Sequence, residues 1–238
     1  MPVRKGKAAD GKKNERYRKM EDTFRHKGLR RKMIENLQSL NIASKEVLAV
    51  MGEIPRHLFL DSVFDSQAYQ NKAFSIGDEQ TISHPSTVAL QSTLLDVFPG
   101  AKILEVGTGS GYQAYVLEKL KADVYSIERQ KALYLKTKAL LASFHSRVHC
   151  FYGDGYQGLP QFAPFDRILV TCGAASLPMD LVSQLKIGGF MVIPLGTPTQ
   201  RMAKVIRKNE TELDYSWHGD CHFVPMLPNR TGDKRYVS

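Results

Sequence analysis

Residues 103–112 read ILEVGTGSGY: a short apolar run that closes on three glycines, Gly107, Gly109 and Gly111. An apolar run this brief, bounded by glycine, fits a buried strand better than a helix. Glycines at its exit permit a sharp turn and let a ligand come close to the backbone. The chain keeps the rhythm that this unit starts. YQAYVLEKLK has helical spacing, ADVYSIE reads as a second strand, and RQKALYLKTKALLASF is helical again. RVHCFYGD and FDRILVT are expected as the third and fourth strands, a helix follows Pro178, and GFMVIPLG is a fifth strand after the Gly188-Gly189 turn. Strand-helix alternation of this kind implies an α/β fold: a doubly wound, mostly parallel, Rossmann-like sheet with helices on both faces. RMAKVIRKN and ELDYSWHG are expected as antiparallel strands at one edge.

The N-terminal part has a different character. Leu29, Met33, Leu37 and Leu40 recur at helical spacing, and Asn41 closes that helix. Ser44 is placed to cap a second helix, which Pro55 ends. Residues 57–80 are mixed and are expected to wrap the domain.

Two cofactor classes use a glycine loop after the first strand: dinucleotides and S-adenosylmethionine. A dinucleotide fingerprint runs G-x-G-x-x-G, whereas Gly107, Gly109 and Gly111 give G-x-G-x-G. Glu105 stands just ahead of the loop. It would repel a pyrophosphate but can accept hydrogen bonds from an ammonium. Glu128 ends the second strand, where a carboxylate can accept from both ribose hydroxyls, and Arg129 follows it. Asp154 and Gly155 end the third strand, where a side chain can meet an adenine edge. The pattern favours S-adenosylmethionine, held by Glu105, Gly107, Thr108, Gly109, Ser110, Gly111, Glu128, Arg129, Asp154 and Gly155. The plain alternatives are a simple turn at the glycines, a helix-capping role for Glu128 and a turn role for Asp154.

Charge is unevenly distributed. Residues 1–32 carry 13 Lys/Arg against 4 Asp/Glu, and the rest of the chain carries 20 of each. The net +9 therefore belongs to one end, and the body is neutral. Residues 1–20 are expected to be a basic, flexible tail and residues 21–238 a single domain. No aromatic or base-reading motif accompanies the basic residues, so nucleic acid is not the expected partner. No apolar stretch of about 18 residues or signal-peptide core is present, which argues against a membrane segment. The 3 cysteines are odd in number and far apart, which suits a reducing cytoplasm.

The stretch QTISHPS, residues 80–86, places Ser83 beside His84. It lacks the G-x-S-x-G flanks of a hydrolase elbow, and adjacent side chains in an extended segment point apart. A Ser–His nucleophile pair is therefore not expected. With IPRHLF ahead of it and ILEVGTGSGYQAYVL behind it, the stretch resembles the protein-L-isoaspartate O-methyltransferase family. The likeness runs from about residue 23 to 228 and includes GDGYQGLPQFAPFDRILVT, QLKIGGFMVIPLG and FVPM.

The resemblance implies a methyltransferase fold and methyl transfer from S-adenosylmethionine to the free α-carboxylate of L-isoaspartyl residues in damaged proteins and peptides. The methyl ester closes to a succinimide, which opens to Asp or isoAsp, so that repeated cycles repair the chain. It implies that Ser83 orients the substrate carboxylate and that Thr81 and Ile82 lie against substrate and cofactor. A carboxylate is already ionised at neutral pH, so no strong base is required.

Two stretches depart from the family pattern. Asp78-Glu79 stands where a small or glycine-containing turn is usual, and Cys172-Gly173 interrupts the pattern after Thr171. No metal is expected: His218, Cys221 and His222 lack an evident fourth ligand. Cys172 is expected as a small core residue. The competing classes are a methyltransferase acting on another carboxylate or on nucleic acid, and a non-catalytic cofactor-binding protein. An N-methyltransferase usually carries an Asn/Asp-Pro-Pro-Tyr-like element after the fourth strand, and TCGAAS offers none.

Overall fold

The computed structural model describes residues 21–232; the expectation for residues 1–20 lies outside the described residues. Helix α1 spans Phe24–Ser39, capped by Thr23, whose side chain accepts from the His26 N–H. It buries His26, Arg30, Met33 and Leu37, one face at helical spacing. Leu40, expected on that face, is instead at the C-cap and 50% exposed, because Asn41 turns the chain at φ 51°. Helix α2, Lys45–Glu53, starts at Ser44 as expected, with the serine side chain accepting from Val47 N–H. Two 3-10 turns follow, Arg56–Phe59 and Ser62–Gln67.

The segment expected only to wrap the domain also forms a hairpin. Strands β1, Phe74–Gly77, and β2, Gln80–Ile82, pair antiparallel around Asp78-Glu79. Both turn residues have positive φ, 50° and 57°, the two-residue hairpin geometry that usually selects Asn-Gly. Helix α3, Pro85–Leu94, starts immediately after Ser83-His84 with proline in its first turn.

The main sheet has seven strands in the order β5-β4-β3-β6-β7-β8-β9. These are β3 Lys102–Val106, β4 Asp123–Glu128, β5 His149–Tyr152, β6 Phe165–Val170, β7 Leu185–Leu195, β8 Gln200–Arg207 and β9 Leu213–Cys221. The first five run parallel, and β8 and β9 add the antiparallel edge. Helices α4, Tyr112–Lys119, α5, Lys131–Ser143, and α6, Met179–Ser183, are the crossovers.

Strand alternation separates two cores. Ile103, Leu169, Phe190 and Val192 pack with Ala114 and Leu117 of α4 on one face. Leu104, Ile168, Val170 and Met191 pack with Leu181 and Val182 of α6 on the other. Each fully buried aliphatic side chain contributes about 1.5–3 kcal/mol. A third cluster seals α1 and α2 against Tyr112 and Val116 of α4. The strand order reverses between β3 and β6, the switch point at which open α/β sheets bind ligands beyond their carboxyl ends.

Candidate active site

A cleft with about 830 Å³ of empty space, continuous with solvent, lies at that switch point. Its floor is the glycine loop. Gly107 has φ 99°, and a Cβ there would sit 2.4 Å from Thr171 Oγ1 at the end of β6. Only glycine lets the two strand ends approach this closely. The Gly107 N–H donates to Ile127 O at 2.9 Å, and the Thr171 hydroxyl donates to Gly107 O at 2.7 Å. Gly111 then caps α4 in the left-handed conformation. Gly107, Thr108, Gly109 and Ser110 line the cleft, while Gly111 lies behind them as the helix start.

Glu128 is buried at the end of β4 and lines the cleft. Its Oε2 accepts from Gly109 N–H at 2.9 Å and its Oε1 from Gln130 N–H at 2.8 Å. A carboxylate offers about four acceptor positions, so roughly two remain for ligand hydroxyls. Burial holds this carboxyl above its ordinary range, although the backbone N–H groups of Gln130 and Gly109 oppose that.

Glu105 is placed differently from expectation. It is fully buried behind the loop and is absent from the cleft lining. Ser126 Oγ donates to its Oε2, and Thr108 Oγ1 lies 2.6 Å from the same Ser126 hydroxyl. A chain of polar groups thus runs from the lining residue Thr108 to the carboxyl. The second oxygen, Oε1, is buried without a hydrogen-bond partner. Burial pushes the group up to about 8, the Ser126 bond opposes the rise, and nearby Glu128 adds to it.

Asp154 has a structural use besides the one expected. Its Oδ1 accepts from Tyr156 N–H at 2.9 Å and its Oδ2 from Asn229 N–H at 2.7 Å. It therefore ties down the C-terminal segment, and Gly155 is the member of the pair that lines the cleft. Arg129 also lines the cleft, and its Nε donates to Asn229 O at 2.9 Å. Held in this way, residues 224–227 form one wall. Sequence reading gave that segment no site role, because FVPM carries no charged or nucleophilic group to mark it.

Thr81, Ile82 and Ser83 form a further part of the cleft wall. Among the described residues, the Ser83 hydroxyl has no hydrogen-bond partner, so it is available to a ligand. The imidazole of the neighbouring His84 is held below its ordinary range, by desolvation first and then by Arg56. Tyr112 and Gln113, from the first turn of α4, line the cleft as well, and helical periodicity had marked neither.

Both departures from the family pattern have local explanations. Asp78 and Glu79 lie exposed at the hairpin tip, outside the cleft lining. Gly173 exchanges backbone bonds with Val224 and Met226, and a Cβ on it would sit 2.1 Å from Gln200 Nε2. Cys172 lines the cleft rather than lying wholly in the core, and burial pushes its thiol up to about 12, so it is no thiolate nucleophile.

His218, Cys221 and His222 do not gather into a metal site among the described residues. Asp22, His26 and His57 do lie together, but Arg30 pairs with Asp22 and Asp65 with His26.

The residues fit S-adenosylmethionine, which offers an ammonium and a ribose diol. Spare acceptor capacity on Glu128 suits the diol, while Glu105 stands behind the loop, linked to the lining only through Ser126 and Thr108. A pyrophosphate would instead face the Glu128 carboxyl.

The comparisons agree with this reading. The family model described as protein-L-isoaspartate(D-aspartate) O-methyltransferase matches residues 28–231. A protein-L-isoaspartate O-methyltransferase of Christiangramia forsetii is 51% identical over 212 residues, 89% of this chain and 100% of its own length. A solved protein-L-isoaspartate O-methyltransferase superposes with TM-score 0.77 at 28% identity, covering 84% of this chain and 66% of that one. A Plasmodium falciparum structure assigned to the same enzymes, in complex with S-adenosyl-L-homocysteine, gives TM-score 0.74 at 25% identity over 86% of this chain and 99% of its own. With glycine loop, Glu128 and the Ser83 wall meeting in one cleft, this chain belongs to the protein-L-isoaspartate(D-aspartate) O-methyltransferase family.

Proposed function

We propose that this protein methylates the free α-carboxylate of L-isoaspartyl residues in damaged proteins and peptides, with S-adenosylmethionine as donor, and so starts their repair through a succinimide. The observation that carries the reading is the Ser83 hydroxyl, without a hydrogen-bond partner among the described residues, in the same cleft as the glycine loop. When bound, S-adenosylmethionine supplies an electrophilic methyl on a sulfonium sulfur. The chain's own task is to align an oxygen nucleophile with it and to exclude water. Ser83 orients the acceptor carboxylate through a neutral hydroxyl, which leaves the attacking oxygen's negative charge intact. Thr81 and Ile82 flank it. Glu128 takes the ribose, the loop from Gly107 to Gly111 with Glu105 behind it takes the methionine portion, and Gly155 with Arg129 borders the adenine end. Asp154 supports that end through the strap it holds.

The carboxylate is ionised at neutral pH and needs no general base. Among the described residues no helix is long and apolar enough to cross a membrane. We place the reaction in the cytoplasm, on protein substrates rather than nucleic acid.

The product distinguishes the candidate acceptors. Methyl label transferred to an isoaspartyl peptide should be released as methanol by mild base. Label that survives base would identify an amine or carbon acceptor and overturn the reading.

A further inference from the structure

Arg56 heads the largest fully buried side chains and has 0% exposure. It opens the 3-10 turn after Pro55 and runs inward behind the Ser83 wall. Its Nε donates to Ala68 O at 2.9 Å, and its Nη2 donates to Ser83 O at 2.7 Å. Its guanidinium carbon lies 4.9 Å from the centre of the Tyr112 ring. Nη1 is buried without a hydrogen-bond partner, and the Tyr112 hydroxyl is buried beside it without a well-formed one. Among the described residues, no carboxylate forms an ion pair with Arg56.

A guanidinium buried without a counter-ion is strongly unfavourable unless something offsets it. Burial lowers Arg56 to about 10, so it stays charged at neutral pH. Its charge is felt at His84, the neighbour of Ser83, whose imidazole it helps to depress. Ser83 and Tyr112 both line the cleft, and Arg56 does not. The cation therefore sits one layer behind the wall.

We propose that Arg56 is a positioning residue: it fixes the Ser83 backbone and, through its buried charge, selects an acceptor that brings a carboxylate to Ser83. The acceptor supplies the counter-charge that the chain withholds. Because the guanidinium stays behind the wall, it attracts the carboxylate without taking up the lone pair that must attack. This inference rests on the reading that the acceptor carboxylate binds at Ser83.

The test compares two peptides that differ at one group: L-isoaspartyl with a free α-carboxylate, and the same residue with an α-carboxamide. Binding is measured by calorimetry with S-adenosyl-L-homocysteine present, so that nothing turns over. The wild-type protein should prefer the carboxylate by about tenfold or more, equivalent to about 1.4 kcal/mol. In Arg56→Met that preference should fall towards one, while affinity for the carboxamide peptide and for S-adenosyl-L-homocysteine changes less than about threefold. Arg56→Lys should keep the preference and lower turnover, since it retains the charge but not the forked hold on two carbonyls.

A purely structural Arg56 would weaken both peptides equally and leave the ratio intact, which would overturn the proposal. If Arg56→Met does not fold, the wild-type protein decides. A buried charge is poorly screened, so the preference should persist in about 1 M salt. Its disappearance there would assign it to surface charges and overturn the proposal. Failure of the wild-type protein to methylate the carboxylate peptide at all would instead sink the functional reading, a result separate from either of these.

Discussion

Replacing Glu105 with glutamine should abolish the pH dependence that this one carboxyl imposes on folding. In the unfolded chain it ionises near 4.5; in the folded protein burial pushes it up to about 8. Below the lower value both states bind the proton, and the group does not affect stability. As pH rises, the unfolded chain ionises first, so the folded state is progressively penalised until it ionises too. At 1.36 kcal/mol per unit, the penalty is roughly 1 kcal/mol at pH 5, 3 at pH 7 and 5 at pH 9. Glutamine keeps the shape but cannot ionise. It also places a buried N–H₂ where Oε1 now lacks a partner, which costs about 1–3 kcal/mol at every pH. The offset is constant and the slope is not. Urea unfolding of both proteins without cofactor at pH 5, 7 and 9 should therefore show E105Q gaining about 4 kcal/mol on the wild type across that range. A difference that stays flat with pH would refute the argument that Glu105 is held protonated by burial.

Three further perturbations test the site. Ser83→Ala should lower kcat at least tenfold and leave S-adenosylmethionine affinity within about twofold, because the hydroxyl has no role in holding the chain; steady-state kinetics and calorimetry check it. Glu128→Ala removes the acceptor of two backbone N–H groups as well as the proposed ribose contact. Charge-assisted hydrogen bonds are worth about 1.5–3 kcal/mol each, so calorimetry should record a loss of at least about tenfold in cofactor affinity. Asp154→Ala should speed amide hydrogen exchange at Asn229, whose N–H loses its acceptor, and weaken cofactor binding less than Glu128→Ala does. Unchanged exchange at Asn229 would remove the strap role.

Much of the architecture was legible because its signals are local. The β-α alternation from residue 103 onward, the Ser44 cap and the antiparallel edge all follow from periodicity and turn chemistry that neighbouring residues carry. The glycine loop was legible for the same reason. What escaped is what long-range contact decides. Glu105 and Glu128 both stand near strand ends in the sequence, yet one is sealed behind the loop and the other lines the cleft, because the register sets Glu105 beside Ser126, two positions short of Glu128 at the carboxyl end of the sheet. That Asp154 also anchors Asn229 was not legible, because the two are 75 residues apart in the chain. Arg56 read as part of a family motif; nothing local announces that it is buried beneath Ser83. The hairpin around Asp78-Glu79 was hidden because its turn residues are not those that such a turn prefers.

The central claim is that the acceptor is the α-carboxylate of L-isoaspartate. It is tested most directly with two peptides identical except for one residue, L-isoAsp in one and L-Asp in the other, incubated with methyl-labelled S-adenosylmethionine. The account predicts base-labile label in the isoAsp peptide and none in the Asp peptide. Equal labelling of both, or none in either while S-adenosylmethionine still binds, would contradict it.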